Sequence, residues 1–191
     1  MRETPIRVYD VFDTLVTNNT YDLLAKDNPE LCRKARENYI AVREQVIPYE
    51  KRYREQGLVK TKLLQNVRLG LERAKSKGFA LGVFSSGTPD GIRHMLAEGG
   101  IDDLIDEQIS VDTINGKKDE PGTYRNLQLV LAAKGLELAS YADDQRLFCA
   151  AAANAFWTPG ETLTTPRIYH VSANGPIPEH CSHITSIADI D

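Results

Sequence analysis

The run Ile6-Arg7-Val8-Tyr9-Asp10-Val11-Phe12-Asp13-Thr14-Leu15 constrains this chain more than any other stretch. An apolar strand delivers Asp10 onto a turn, and Thr14 follows four positions later. A carboxylate at the C-terminal end of a parallel strand sits where open α/β sheets gather their ligands. Such an Asp can attack an electrophile or ligate a metal ion. The competing reading is a strand that ends in Asp and does no chemistry.

Three later segments repeat the pattern. Phe79-Ala80-Leu81-Gly82-Val83-Phe84 leads into Ser85-Ser86-Gly87, and Thr88 can cap a helix whose first position is Pro89. The free N–H groups of a helix start, with Ser85, Ser86 and Gly87, make an anion cradle; an ordinary strand-to-helix cap reads the same way. The segment Asp112 to Tyr124 carries Lys117 and Lys118 just before a helical pattern. A lysine entering a carboxylate-rich site lowers the barrier to attack of one anion on another. Both lysines compete for that role, against a solvated basic turn. Finally, Leu138-Ala139-Ser140-Tyr141-Ala142 ends in Asp143-Asp144. Hard cations such as Mg²⁺ favour one or two carboxylates with waters and a substrate phosphate.

The order Asp, Ser/Thr, Lys, acidic pair, each after an apolar strand, resembles the haloacid dehalogenase-like (HAD) hydrolase superfamily over roughly residues 6 to 158. The resemblance implies an α/β fold: a doubly wound, mainly parallel, Rossmann-like sheet with helices on both faces and a small helical cap insertion. It implies Asp10 as nucleophile, Ser85 as the phosphate-binding hydroxyl, with Ser86, Gly87 and Thr14 on the substrate side. Lys118, rather than Lys117, becomes the charge-neutralising lysine. Asp143, with Asp144, becomes the acidic Mg²⁺ site, together with Asp10 and the backbone carbonyl of Phe12. The spacing Asp112-Thr113, Gly116, Lys118, Glu120, Thr123-Tyr124, with Ser85-Ser86-Gly87, is most similar to the enolase-phosphatase branch. The expected activity is Mg²⁺-dependent hydrolysis of a small phosphorylated metabolite through an aspartyl-phosphate.

Two departures from the family pattern bear on that expectation. Phe12 stands where phosphatases of the superfamily usually carry an acid that protonates the leaving group, a contribution of about 10²–10⁴ in rate. The substrate then has a good leaving group, or Asp13 takes part of the role, or turnover is slow or lost. Leu147 stands where many members carry a further acid, and Asp144 has to compensate. A 2-haloacid dehalogenase is the alternative: Asp10 would displace halide without metal, and an aromatic at position 12 leans that way. Against it, adjacent carboxylates near a nucleophilic carboxylate repel one another without a cation. A phosphate-metabolite-binding domain that no longer turns over is a third reading.

A chain of 191 residues suits one α/β core with a modest insertion. The expected division is a core of residues 1–16 and 61–191, with a helical cap at 17–60. In the cap, Asn28 can cap a helix that starts at Pro29, with Leu31, Ala35, Tyr39, Val42 and Val46 at helical spacing. Pro48 is expected to interrupt it, a second helix to run to Gly57, and Leu63, Leu64, Val67, Leu71 and Ala74 to mark a third that Gly78 ends. Residues 30–77 hold 13 Lys/Arg against 6 Asp/Glu, so the cap side is basic in a chain of net charge −4. Basic residues such as Arg33, Lys34, Arg36, Lys51, Arg52 and Arg54 either solvate helix faces or draw in an anionic substrate. Tyr49 and Tyr53 are candidates for the substrate side, while Tyr39 reads as packing.

An acidic chain without an aromatic-basic motif argues against nucleic acid as a partner. No apolar run is long enough for a membrane span and no leader opens the chain. Cys32, Cys149 and Cys181 lack metal spacing and read as reduced thiols, which makes the cytoplasm the expected compartment. His94 reads as exposed or packed. Trp157 is expected to pack and to open a strand. Residues 167–171 read as a late strand, and the stretch with His180, Cys181 and His183 as a flexible tail.

Overall fold

Strand β1 (Thr4–Tyr9) lies at the centre of the sheet, with Ile6 and Val8 wholly buried. It pairs in parallel with β4 (Ala80–Ser85) on one side and β6 (Leu136–Asp143) on the other. Strand β5 (Glu107–Ser110) extends the β4 edge, and β7 (Arg167–Val171) and β8 (Ser182–Ile184) extend the β6 edge. The structure describes residues 3–157, 166–172 and 176–190; it is a computed structural model. Among the described residues six strands thus form one parallel sheet in the order β5-β4-β1-β6-β7-β8. The chain leaves β1 toward one edge and returns on the other side, so the switch point falls at the C-terminal end of β1. That is where such sheets bind ligands.

Period-2 alternation divides the core between the two faces. Ile6, Val8, Phe84 and Tyr141 face α7 (Pro121–Ala132) and α8 (Arg146–Phe156), which contribute Tyr124, Leu127, Cys149 and Ala152. Tyr9, Leu81 and Val83 face α4 (Val67–Ser76) and α5 (Pro89–Gly99), which contribute Leu71, Ala74, Ile92 and Leu96. Each large side chain sealed in this way contributes about 1.5–3 kcal/mol. Helices on both faces give the expected doubly wound α/β arrangement.

Between β1 and β4 the chain builds a separate helical unit. It leaves and re-enters through an antiparallel stem of β2 (Val16–Asn18) and β3 (Thr61–Leu63). Helices α1 (Thr20–Asp27), α2 (Pro29–Glu37) and α3 (Tyr39–Glu55) share their own apolar cluster, built on Leu24, Leu31, Val42, Val46 and Tyr53. Asn28 caps α2 as expected, its side chain accepting from the Leu31 amide at 3.0 Å. The continuous periodicity from Leu31 to Val46 is broken in the structure at Asn38. Its side-chain oxygen accepts from the Ala41 amide at 3.2 Å and starts a new helix. Pro48, expected to break the helix, lies inside α3. Proline there removes one intrahelical bond, but buried Val42, Val46 and Tyr53 on either side hold the helix together. Leu63, expected in a helix, ends β3 because it is claimed by the stem.

The C-terminal stretch also differs from expectation. Ser182–Ile184 pair with Tyr169–Val171 as an edge strand, so the segment expected as a flexible tail belongs to the sheet. Trp157 ends α8 and stacks on His180 at 4.4 Å between ring centroids. The strand expected to follow Trp157 lies outside the described residues. Among those residues no helix is long and apolar enough to cross a membrane.

Candidate active site

Asp10 leaves the end of β1, where its amide donates to the Ala142 carbonyl at 2.8 Å, and its side chain is only 9% exposed. Asp143 ends the neighbouring β6 and is 0% exposed. Lys118 Nζ donates to both, at 2.6 Å to Asp10 Oδ1 and 2.5 Å to Asp143 Oδ2. Lys118 is itself 0% exposed. Lys117 instead lies at the surface near Glu120.

Local sequence explains how a lysine reaches that depth. The loop from α6 (Val111–Ile114) to α7 passes Gly116, where a Cβ would lie 2.4 Å from the Thr123 hydroxyl oxygen. That hydroxyl accepts from the Lys117 amide at 3.0 Å, and the Tyr124 hydroxyl donates to the Lys118 carbonyl at 3.0 Å. The loop is thereby pinned to the first turn of α7, and the ammonium passes over the rings of Phe148, Tyr141 and Phe84 at 4.9, 5.6 and 5.7 Å. These rings stabilise a buried cation while excluding water.

Asp144 completes an acidic triad. One ligand oxygen each from Asp10, Asp143 and Asp144 lie within 4.8 Å of one another. Burial, reinforced by Asp143, pushes the Asp10 carboxyl up to about 7, with Lys118 pulling the other way. Burial and the two neighbouring carboxylates push Asp144 up to about 8. With all three carboxyls ionised, one ammonium would leave an excess charge of −2, and the raised values show the site holding protons in place of a cation. Hard oxygen donors with that excess charge fit a divalent cation such as Mg²⁺.

Thr14 is placed differently from expectation. It is buried and absent from the cavity lining; its hydroxyl donates to Asp144 Oδ1 at 3.3 Å and accepts from the Asp144 amide at 3.0 Å. Its hydroxyl is engaged on both sides by Asp144. Asp143 is held by the Gln145 amide at 2.8 Å and by the Tyr141 hydroxyl. Tyr141 was legible in principle, since it precedes Asp143 by two on the same face of the strand. The His170 ring also bonds the Asp144 carbonyl at 3.0 Å, a contact across strands that sequence cannot show.

Above the triad lies a cavity of about 530 Å³ between the sheet edge and helices α1–α3. Asp10, Ser85, Ser86, Gly87 and Asp144 line its floor; Tyr39, Glu50 and Arg54 line the opposite wall. Ser85 Oγ accepts from the Gly87 amide at 3.2 Å, and the buried Ser86 hydroxyl has no hydrogen-bond partner among the described residues. Thr88 caps α5 by accepting from Gly91 at 3.2 Å, as its position before Pro89 predicts. Phe12, Asp13 and Leu147 line the cavity as well. Tyr49 and Tyr53 do not: Tyr53 donates to Asp27 and Tyr49 accepts from Asn28, so both are used within the helical unit. Tyr39, read as packing, faces the cavity and donates to Glu50 at 3.3 Å. Burial raises the Glu50 carboxyl above its ordinary range.

The arrangement agrees with a comparison of the whole sequence. A family model described as haloacid dehalogenase-like hydrolase matches residues 8–141, well over half of the chain. The chain belongs to this family of hydrolases. No curated protein matches the HAD-like hydrolase described here. Solved structures share its fold. A dehalogenase with intermediate complex superposes with TM-score 0.67 at 14% identity, covering 98% of this chain and 96% of that one. A predicted phosphoglycolate phosphatase from Haemophilus somnus gives TM-score 0.64 at 19% identity, covering 97% and 95%. L-2-haloacid dehalogenase from Xanthobacter autotrophicus, with chloropropionic acid covalently bound, gives 0.61 at 15%, covering 92% and 79%. At such identities the likeness is one of fold, and it singles out neither the enolase-phosphatase branch nor any other for this HAD-like hydrolase.

Proposed function

We propose that this hydrolase is a Mg²⁺-dependent phosphatase that acts on a small phosphorylated metabolite. The supporting observation is the third carboxylate. Lys118 alone balances one of the three charges on Asp10, Asp143 and Asp144. A halide displacement by Asp10 needs only the Asp10–Lys118 pair and gives the Asp144 carboxylate no part in the reaction. A phosphoryl transfer gives Asp144 a use, because a divalent ion held by the triad, with the Phe12 carbonyl, would neutralise the incoming phosphate.

In this reading the helical unit at 17–60 is a cap over the 1–16 and 61–191 core, and it keeps water from the crevice. Asp10 uses the carboxylate oxygen not bonded to Lys118 to attack phosphorus. A bond from Asp10 to phosphorus forms, and the bond from phosphorus to the leaving oxygen breaks. Lys118 and the Ser85 hydroxyl, with Ser86 and Gly87 beside it, hold the phosphoryl oxygens. Water then attacks the aspartyl-phosphate, releases inorganic phosphate and restores Asp10. Phe12 has no proton to give, so the preferred substrates are those whose leaving oxygen is stable as an anion, such as acyl or enol phosphates. This preference agrees with the motif spacing of the enolase-phosphatase branch.

The test is hydrolysis of p-nitrophenyl phosphate, whose leaving group needs little protonation, with Mg²⁺ and with EDTA. Activity that requires metal and is lost in Asp10→Asn is the expected result. Unchanged turnover in Asp10→Asn overturns the assignment. The second reading, a 2-haloacid dehalogenase, is favoured by one observation: Phe12 meets Tyr21 edge-on, with centroids 5.8 Å apart, on the cavity wall. Halide release from a 2-haloacid in EDTA would select that reading.

A further inference from the structure

Arg43 on α3 bonds from the helical unit to the segments that follow β4 and β5. Its side chain is only 11% exposed, although it lies on the basic, solvent-rich part of the chain. Nε donates to the Ser86 carbonyl at 2.6 Å, one terminal nitrogen to Asp112 Oδ2 at 2.6 Å, and the other to Glu44 at 3.1 Å. The first two partners belong to different segments of the core: Ser86 follows β4, and Asp112 is in the first turn of α6.

Those segments are themselves joined. The Ser110 hydroxyl at the end of β5 donates to the Gly87 carbonyl at 2.6 Å and accepts from the Asp112 amide at 3.2 Å. A closed ring results, running Arg43, Ser86, Gly87, Ser110, Asp112 and back to Arg43. The ring has a direct consequence for the cavity floor. A peptide plane is rigid, so fixing the Ser86 carbonyl fixes the direction of the Gly87 N–H on its opposite side. That N–H donates to Ser85 Oγ at 3.2 Å. That bond occupies one acceptor position of Ser85 Oγ, a residue that lines the cavity, and leaves the hydroxyl proton the remaining positions on the oxygen.

We propose that Arg43 is a positioning residue that couples the seating of helices α1–α3 to the orientation of the Ser85 hydroxyl. When the helical unit sits on the core, Arg43 locks the Ser86–Gly87 peptide and the oxyanion cradle is complete. When the unit lifts, both charge-assisted bonds break and the cradle relaxes. Closure and assembly of the anion site then become one event, so that the cradle forms only over an enclosed substrate. The mechanical part stands on the hydrogen bonds alone; its bearing on turnover rests on the phosphatase reading.

Two variants separate the possibilities. Arg43→Met removes every contact, whereas Arg43→Lys keeps one point-like donor that cannot span Ser86 and Asp112 together. Hydrogen exchange of the Gly87 amide reads the ring without any substrate, with Arg33→Met, in an exposed ion pair with Glu30 and Glu37, as control. Exchange about tenfold faster in both Arg43 variants, and unchanged in the control, is expected for loss of a charge-assisted bond. Orthovanadate with Mg²⁺ serves as the oxyanion probe and should bind about tenfold more weakly to both variants, as KM for p-nitrophenyl phosphate rises. Asp112→Asn should weaken the ring less and give an intermediate value. Wild-type exchange at Gly87 in both Arg43 variants overturns the proposal, whatever the activity. Faster exchange with unchanged vanadate affinity and KM overturns the coupling to Ser85. A wild-type protein that neither hydrolyses phosphate esters nor binds vanadate, but shows the exchange difference, keeps the ring and rejects the phosphatase reading.

Discussion

Thr14 and Asp144, separated by 130 positions in the chain, form a reciprocal pair in which one hydroxyl serves both the amide and the carboxylate of the same residue. The pair ties the turn after β1 to the turn after β6, across the switch point of the sheet. Thr14→Val keeps the shape and removes both bonds, leaving the Asp144 amide unpaired in a part-buried site. The expected cost is about 1–3 kcal/mol in denaturant unfolding, with Mg²⁺ affinity reduced, and Thr14→Ser restoring most of both. A valine variant as stable as the wild type would show that water replaces the hydroxyl.

Lys118 is enclosed between two carboxylates, so its removal exposes their mutual repulsion. Lys118→Met should cost about 3–5 kcal/mol in EDTA, the usual result of stripping one partner from a buried ion pair. Mg²⁺ should return part of that stability, because a divalent ion answers the same excess charge. It should not return turnover, expected to stay lower by about 10²–10³, since the ion cannot hold the phosphoryl oxygen that Lys118 is proposed to hold. Recovery of both together would reduce Lys118 to a structural counter-ion.

The legible part of this molecule follows from local rules. β1, β4 and β6 announce themselves as apolar runs, and the chemistry at their ends is fixed by the direction of the strands. Caps at Asn28 and Thr88 are equally local, since each side chain bonds an amide three residues on. What escaped depends on contacts remote in sequence. Pro48 stays helical because residues on both sides of it are buried in the helical unit. Thr14 faces Asp144, and not the cavity, because two distant turns meet. The Arg43 ring draws on segments up to 69 positions apart, and nothing in a run of basic residues marks one arginine as buried.

Asp144 links stability to pH in a direction opposite to the common one. Its folded pKa of about 8 lies above the ordinary value of about 4 expected in the unfolded chain. The folded state then holds a proton that the unfolded state releases, so the metal-free protein loses stability as pH rises from about 4 to about 8. Asp144→Asn removes that loss. In EDTA at pH 8 its Tm should exceed the wild type by about 2–4 °C, the effect of roughly 1 kcal/mol in a chain of this size. At pH 5 the difference should shrink. Mg²⁺ at pH 8 should raise the wild type and not the variant. A variant that is less stable in EDTA at pH 8 would show that the Asp144 carboxylate is satisfied without a cation.

Phe12 offers the most direct test of what the lack of an acid at position 12 means for the reaction. Its ring lines the cavity next to Asp10 and packs edge-on against Tyr21 of α1. Phe12→Asp places a carboxyl on the same backbone position, two residues after the proposed nucleophile. Two effects compete. Loss of the aromatic pair weakens the seating of the helical unit by about 0.5–1.5 kcal/mol, which raises KM for every substrate alike. A proton donor beside the leaving oxygen raises kcat only where that oxygen needs a proton, by up to about 10²–10⁴. The ratio of kcat for a simple alkyl phosphate to kcat for p-nitrophenyl phosphate therefore isolates the second effect from the first. It should rise by at least about tenfold in Phe12→Asp, and Phe12→Asn, which fills the same space without an ionisable proton, should leave it unchanged. Equal ratios in all three proteins would mean that position 12 does not reach the leaving group, and that the preference for stable leaving anions has another origin.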